Sequence, residues 1–170
     1  MRLLFPGSFD PPHLGHLDVV QRAASLARAA GGELLVAIAD NPDKSSFLPL
    51  DRRVMLLQAL FDHDPTVSVV TYRGATVLFA RENRVTALVR GLRNPLDFEH
   101  EKSMAEVNRA HGVDTVFLVT AGVHAHLSSH LVRSARAAGL PLDDLVPPQV
   151  VEVLTAQTSA TRVLPIPDRV

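Results

Sequence analysis

In PGSFDPPHLGH, residues 6 to 16, two histidines three apart, a serine, an aspartate and two adjacent prolines sit between the apolar run RLLF and a stretch of helical spacing. The chemistry open to such a set is anion binding. Gly7 permits a tight turn, Ser8 and Phe9 can present backbone N–H groups, and a helix starting just beyond aims the positive end of its dipole at the same place. His13 and His16 share one face of that helix start, about 5 to 6 Å apart at Cβ, and either imidazole can donate to a phosphate oxygen. The plainer alternative is that Pro11 and Pro12 start the helix and the histidines are a solvated first turn. Zinc would need three or four close ligands. Without cysteine these would come from His13, His16, His124, His126 or His130 across two loops, a spread that disfavours it.

Three further segments carry the same chemistry. DNPDK holds Lys44. RGLR places Arg90 and Arg93 around Gly91 and Leu92, so that a glycine lets the backbone come close while two guanidiniums face different phosphates. AGVHAHLSSH, with Arg133 following, offers His124, Ser128, Ser129 and His130 at a loop-to-helix junction. Alone, a loop lysine or a pair of arginines is usually a solvated surface charge, and paired serines are often simple N-caps. The motifs GxxxxGK[ST] and GxGxxG are absent after the first strand, which disfavours a Walker-type NTPase or a nicotinamide dehydrogenase.

What must position these segments is visible in the apolar pattern. Short runs rich in leucine and valine, RLLF (2 to 5), ELLVAIA (33 to 39), VSVVTY (67 to 72), TALV (86 to 89) and TVFLV (115 to 119), have the length of buried strands. Between them, Leu17, Val20, Ala24 and Ala27 step by three and four, as do Val54, Leu57 and Phe61. Residues 75 to 83 and 95 to 111 also fit helices. The expected fold is therefore a single-domain, Rossmann-like α/β structure, a five-stranded parallel sheet with helices on both faces. Ligands of such sheets bind outside the carboxyl ends of the strands, and the polar segments fall there.

Composition sets the remaining bounds. With 46% hydrophobic and 21% charged residues in a chain of 170, one globular domain is expected, without a membrane-spanning run. A net charge of -1 exerts no general pull on nucleic acid. The absence of cysteine excludes disulfide and thiolate chemistry and, with no secretory leader evident, fits a cytoplasmic enzyme. Residues 155 to 170, TAQTSATRVLPIPDRV, lose helical periodicity and are expected to form a tail beyond a domain of residues 1 to 154.

SFDP followed by HLGH resembles the (S/T)FDP…(H/T)xGH signature of the nucleotidylyltransferase superfamily. RGLR (90 to 93) followed by DFEHE (97 to 101) is similar to the phosphopantetheine adenylyltransferase family, as are NPDK (41 to 44), VDTVFL (113 to 118), SSHLVR (128 to 133) and LVPPQVVEVL (145 to 154). The resemblance implies attack of 4′-phosphopantetheine on the α-phosphorus of ATP, giving dephospho-coenzyme A and pyrophosphate. It implies Mg2+ accompanying ATP, coenzyme A as a feedback inhibitor, and a homohexamer. By the same resemblance His16 donates to the α-phosphate, Ser8 and Phe9 hold phosphates of both substrates, Lys44 and Arg90 serve phosphopantetheine, and the backbone at Thr76 meets its arm. ATP falls to Gly91, Leu92, Arg93 and Glu101, with Ser128, Ser129 and Arg133 gripping its outer phosphates. For Asp97 and Glu99, complementation of the helix dipole is the preferred reading.

The chain departs from the family in three places, each toward histidine: His13 for threonine, His124 for an aromatic and His130 for a third serine or threonine. His13 restores the HxGH form and is expected still to serve phosphate. His124 loses aromatic surface near adenine, and His130 is expected to make ATP binding pH-sensitive. Nicotinate-nucleotide adenylyltransferase, which shares the first loop, and a non-catalytic nucleotide-binding homologue are the alternatives.

Overall fold

The computed structural model describes residues 1–156. Five parallel strands, β1 (Arg2–Gly7), β2 (Glu33–Ala39), β3 (Val67–Tyr72), β4 (Ala87–Leu92) and β5 (Asp114–Val119), lie in the order β3-β2-β1-β4-β5. Their crossovers carry α1 (Leu14–Ala29), α2 (Leu50–Phe61), α3 (Thr76–Glu82) and α4 (Pro95–Ala110), and α5 (Ser129–Ala137) and α6 (Pro148–Ala156) close the chain. The fold is the parallel α/β sheet expected, with two boundaries moved. β1 continues to Gly7 and β4 to Leu92, so Arg90 and Gly91 stand on a strand rather than in the loop after it. Thr155 and Ala156, expected in the tail, still belong to α6, and the rest of that segment lies outside the described residues.

Alternation along the central strands explains the layers, since successive side chains leave a strand on opposite faces. Leu3 and Phe5 of β1, with Leu34, Val36 and Ile38 of β2, meet the apolar stripes of α1 and α2 and the buried residues of α5 and α6. Leu4, Leu35, Ala37 and Leu88 point the other way, against Tyr72, Ala80, Val85 and Val113. This second face is covered more thinly. Of the sixteen residues of α4 only Asn108 is buried, and Leu96, Phe98, Met104 and Val107 stay exposed.

The strand order reverses direction between β1 and β4, and there the sheet opens. β1 pairs with β2 along its whole length, but with β4 only at Leu3↔Ala87 and Leu4↔Leu88. Beyond Leu4 and Leu88 the two strands part, leaving a gap between their carboxyl ends, the place where sheets of this kind take their ligands.

Candidate active site

The gap is a cavity of about 300 Å³, lined by the end of β1 through Ser8, by His13, Gly15 and His16, by Arg90, Gly91 and Arg93, and by Asp97, Glu101, His124, Ser128 and Ser129. A second, wider cavity of about 810 Å³ adjoins it and shares Ser8 and Ser129; Lys44, Arg53, His130 and Arg133 line it. Of the residues to which the resemblance gave a role at the substrates, three line neither cavity. Phe9 is buried, Leu92 is 9% exposed in the sheet, and the Thr76 hydroxyl is 2.8 Å from that of Tyr72 at the start of α3.

The first turn is built differently from the glycine turn expected. The left-handed residue is Phe9, at φ 48, not Gly7. Gly7 matters for space, because a Cβ there would stand 3.0 Å from the Phe9 ring. That ring turns inward and packs edge-on against His16, 4.9 Å between centroids, and against Phe5 at 5.6 Å. The core therefore holds Phe9 in a conformation unfavourable for a bulky residue, a kind of strain that concentrates at functional sites. Pro11 and Pro12 do not start the helix; α1 begins at Leu14 with His13 as its N-cap.

The two histidines are packed closer than the spacing required, with rings stacked at 3.6 Å. His16 Nδ1 accepts the backbone N–H of His13 at 3.2 Å. A nitrogen that accepts carries no proton, so a neutral His16, which lines the cavity, holds its proton on Nε2, while the buried His13 Nδ1 has no partner among the described residues. Burial, with His13 and Arg93 beside it, pushes the His16 pKa well below its ordinary 6.5. Burial, Arg93 and His124 bring His13 down to about 4. Two neutral imidazoles thus face the cavity at neutral pH, and His16 is set as a pure donor. Gly15 permits the stack, since a Cβ there would lie 3.1 Å from His13 Nδ1. Gly15→Ala is expected to lower kcat about 10-fold by shifting the rings, while stability changes by less than about 1 kcal/mol because alanine favours the helix; initial rates and urea melts check both halves.

Each arginine of RGLR is clamped by a carboxylate of α4. Arg90 donates from Nε to Glu101 at 2.6 Å and from Nη2 to the second oxygen of the same carboxylate, while Nη1 reaches across the parted strands to the Pro6 carbonyl at 3.3 Å. Arg93 donates from Nε and Nη2 to Asp97 at 2.9 and 3.1 Å, with Nη1 on the Leu127 carbonyl at 3.2 Å. Asp97 also accepts the Arg93 backbone N–H at 3.1 Å. Asp97 is therefore more than a dipole complement: the N-cap of α4 is Asn94, and Asp97 fixes Arg93 in the cavity wall, held well ionised by that guanidinium. Glu101, singled out for ATP, lines the cavity and is paired with Arg90. Glu101→Gln, which loses the charge but keeps the shape, is expected to leave Arg90 free to swing and to raise the acceptor KM more than the ATP KM, by roughly 10-fold.

Serines close the rim. Ser128 caps α5 by accepting the Leu131 N–H at 3.1 Å, and Ser129 donates to the Pro11 carbonyl at 2.9 Å, tying α5 to the first turn. Arg133 is half-buried and donates to the Asp10 carbonyl at 2.7 Å. Two residues of this architecture have roles that the sequence did not assign. Asp10 accepts the backbone N–H groups of Phe47 and Leu48, both at 2.7 Å. Arg53, 3% exposed, stands on the apolar stripe of α2 between Leu50 and Leu57, and a cation at a core position was its signal. Among the described residues no group of three or more histidines and carboxylates is placed to hold a metal ion.

Residues 4–135 match the profile of the Cytidylyltransferase-like family, and the chain belongs to that family. It is 42% identical over 156 residues to the phosphopantetheine adenylyltransferase of Prochlorococcus marinus (strain MIT 9313), covering 91% of this chain and 97% of that one. It is 40% identical over 171 residues to that of Thermosynechococcus vestitus, covering 99% and 98% of the two chains. Within the broader family the chain is thus a member of the phosphopantetheine adenylyltransferases. A solved structure from Vibrio parahaemolyticus with a provisional nicotinate-nucleotide adenylyltransferase name superposes with a TM-score of 0.63 at 17% identity, over 91% of this chain and 97% of that one. It shares the fold.

Proposed function

We propose that the chain transfers the adenylyl group of ATP to 4′-phosphopantetheine, giving dephospho-coenzyme A and pyrophosphate. An acceptor phosphate oxygen attacks the α-phosphorus, and the bond from that phosphorus to the bridging oxygen of the β-phosphate breaks. No proton need pass to the enzyme. What the reaction requires is alignment and donors that stabilise charge spreading over the equatorial oxygens. The observation that carries the reading is a neutral His16 whose Nδ1 is occupied by backbone, which leaves its proton on Nε2, in the lining of a cavity that Arg90 and Arg93 also wall. With two substrates that are both polyanions, a neutral donor adds stabilisation that grows with transition-state charge.

Lys44, Arg133 and His130 line the wider cavity, where outer phosphates and the acceptor phosphate would be accommodated. Mg2+ enters with ATP as part of the substrate. The cavity carboxylates Asp97 and Glu101 are both committed to arginines, so phosphate oxygens and water supply its ligands. Coenzyme A, which carries the same pantetheine arm as the acceptor, is the expected feedback ligand. The apolar side chains that α4 leaves exposed are surface that a homohexamer would bury; among the described residues no helix is long and apolar enough to cross a membrane. Pyrophosphate release from purified protein with MgATP tests the function: turnover with 4′-phosphopantetheine and not with nicotinate mononucleotide is expected. Preference for the nucleotide, or ATP binding without release, overturns it.

A further inference from the structure

Arg53 is a buried cation with no carboxylate paired to it among the described residues. Its three nitrogens go to neutral oxygens, Nε to the Leu48 carbonyl at 3.1 Å, Nη1 to the Ser8 carbonyl at 3.0 Å and Nη2 to the Ser46 hydroxyl at 3.4 Å. A buried guanidinium bonded only to neutral groups costs desolvation free energy that a hydrophobic residue at this position on α2 would avoid. The acceptors belong to two different loops. Ser8 ends β1 in the first turn, and Ser46 and Leu48 belong to the segment that carries Lys44. Asp10 grips the same segment through the N–H groups of Phe47 and Leu48. The stretch from Ser46 to Leu48 is thus held by both its donors and its acceptors, two residues downstream of Lys44.

We propose that Arg53 is a positioning residue for the phosphate-transfer site, locking the Lys44 loop to the Ser8 turn so that the lysine and the turn hold one polyanion together. The inference rests on the function given above. Arg53 lines the same cavity as Ser8 and Lys44, so the lock lies beside the space where both would act. α2 has Pro49 as an N-cap without a side-chain hydrogen bond, and Arg53 takes the Leu48 carbonyl from within the helix, which makes α2 the rigid base of the lock. A displacement of about 1 Å at a phosphoryl-transfer site can cost about 100-fold, so a cross-link of this kind has large leverage on the reaction.

A double-mutant cycle tests it, with Arg53→Met, Lys44→Ala and the pair. Each is read by turnover with 4′-phosphopantetheine and, separately, by calorimetric binding of inorganic tripolyphosphate. Each single variant is expected to weaken tripolyphosphate binding by about 10-fold, and the pair by little more than the worse single, because without the lock Lys44 no longer acts. Arg53→Lys, which keeps the charge and a bond to the Ser8 carbonyl, should recover part of the loss and carries the test if Arg53→Met does not fold. Losses that multiply in the pair, or an Arg53→Met protein that folds and binds like wild type, overturn the proposal. If the cycle couples in tripolyphosphate binding while the wild-type protein shows no turnover with 4′-phosphopantetheine, the lock stands and the assigned substrate falls.

Discussion

His16→Ala lowers kcat by about 10² to 10³ while the dissociation constant of MgATP changes by less than about 5-fold; single-turnover adenylyl transfer and calorimetry measure the two. The split follows from where the donor acts. In the proposed reaction ground-state ATP would be held by charged groups, and Nε2–H of His16 would add most as negative charge builds on the oxygens around the reacting phosphorus. His16→Gln separates charge from donation. A glutamine amide can donate without ever being cationic, so partial recovery with glutamine would mean that a neutral donor suffices, as the depressed pKa requires. The same depression fixes the pH dependence. Histidine acting as a cation would give an acid-favouring profile near 6.5, whereas a donor already neutral there leaves kcat without a His16 step between pH 6 and 8. A kcat that rises as pH falls through that range, absent in His16→Gln, would show that the imidazolium is the working form.

The layout of the fold and half of the site were legible in the chain because they depend on short-range regularities. Strands buried on both faces read as continuous apolar runs, and α1 and α2 announce themselves by three- and four-residue steps. The loops following those strands then fall on one rim without further information. What the spacing could not give was the pairing within the rim. Glu101 is eleven residues from Arg90, and Asp10 is thirty-seven from Phe47, so nothing local joins them. Asp97 was the instructive case. A carboxylate in the first turn of a helix has a sufficient use at the dipole, and only the three-dimensional path of the chain shows Arg93 folding back onto it. Phe9 is another. A left-handed conformation invites glycine, and Gly7 stands two residues away; the strain is accepted at Phe9 because its ring fills the space beneath His16.

The stacked histidines also set the acid stability of the molecule. A histidine held neutral binds its proton less readily folded than unfolded, so between its folded and unfolded pKa values the unfolded chain binds more protons and stability falls as pH falls. For His13, with 6.5 in the unfolded chain and about 4 in the folded one, the loss begins near pH 6.5 and reaches about 3 kcal/mol by pH 4. His16 adds a loss of the same sign as pH falls below 6.5, because it is pushed down by burial and by His13 itself. The depressed carboxylates act in a separate window. Asp64 and Asp97 contribute fully above the ordinary 3.8 and lose their contribution only as pH drops below it. Urea unfolding at pH 7 and pH 4.5 therefore isolates the histidines. His13→Thr is expected to flatten the difference by well over 1 kcal/mol, since it removes one buried imidazole and relieves the other. An unchanged pH dependence in that variant would mean that acid reaches the fold through some other group, and that the stacked pair is already solvated enough to take its proton.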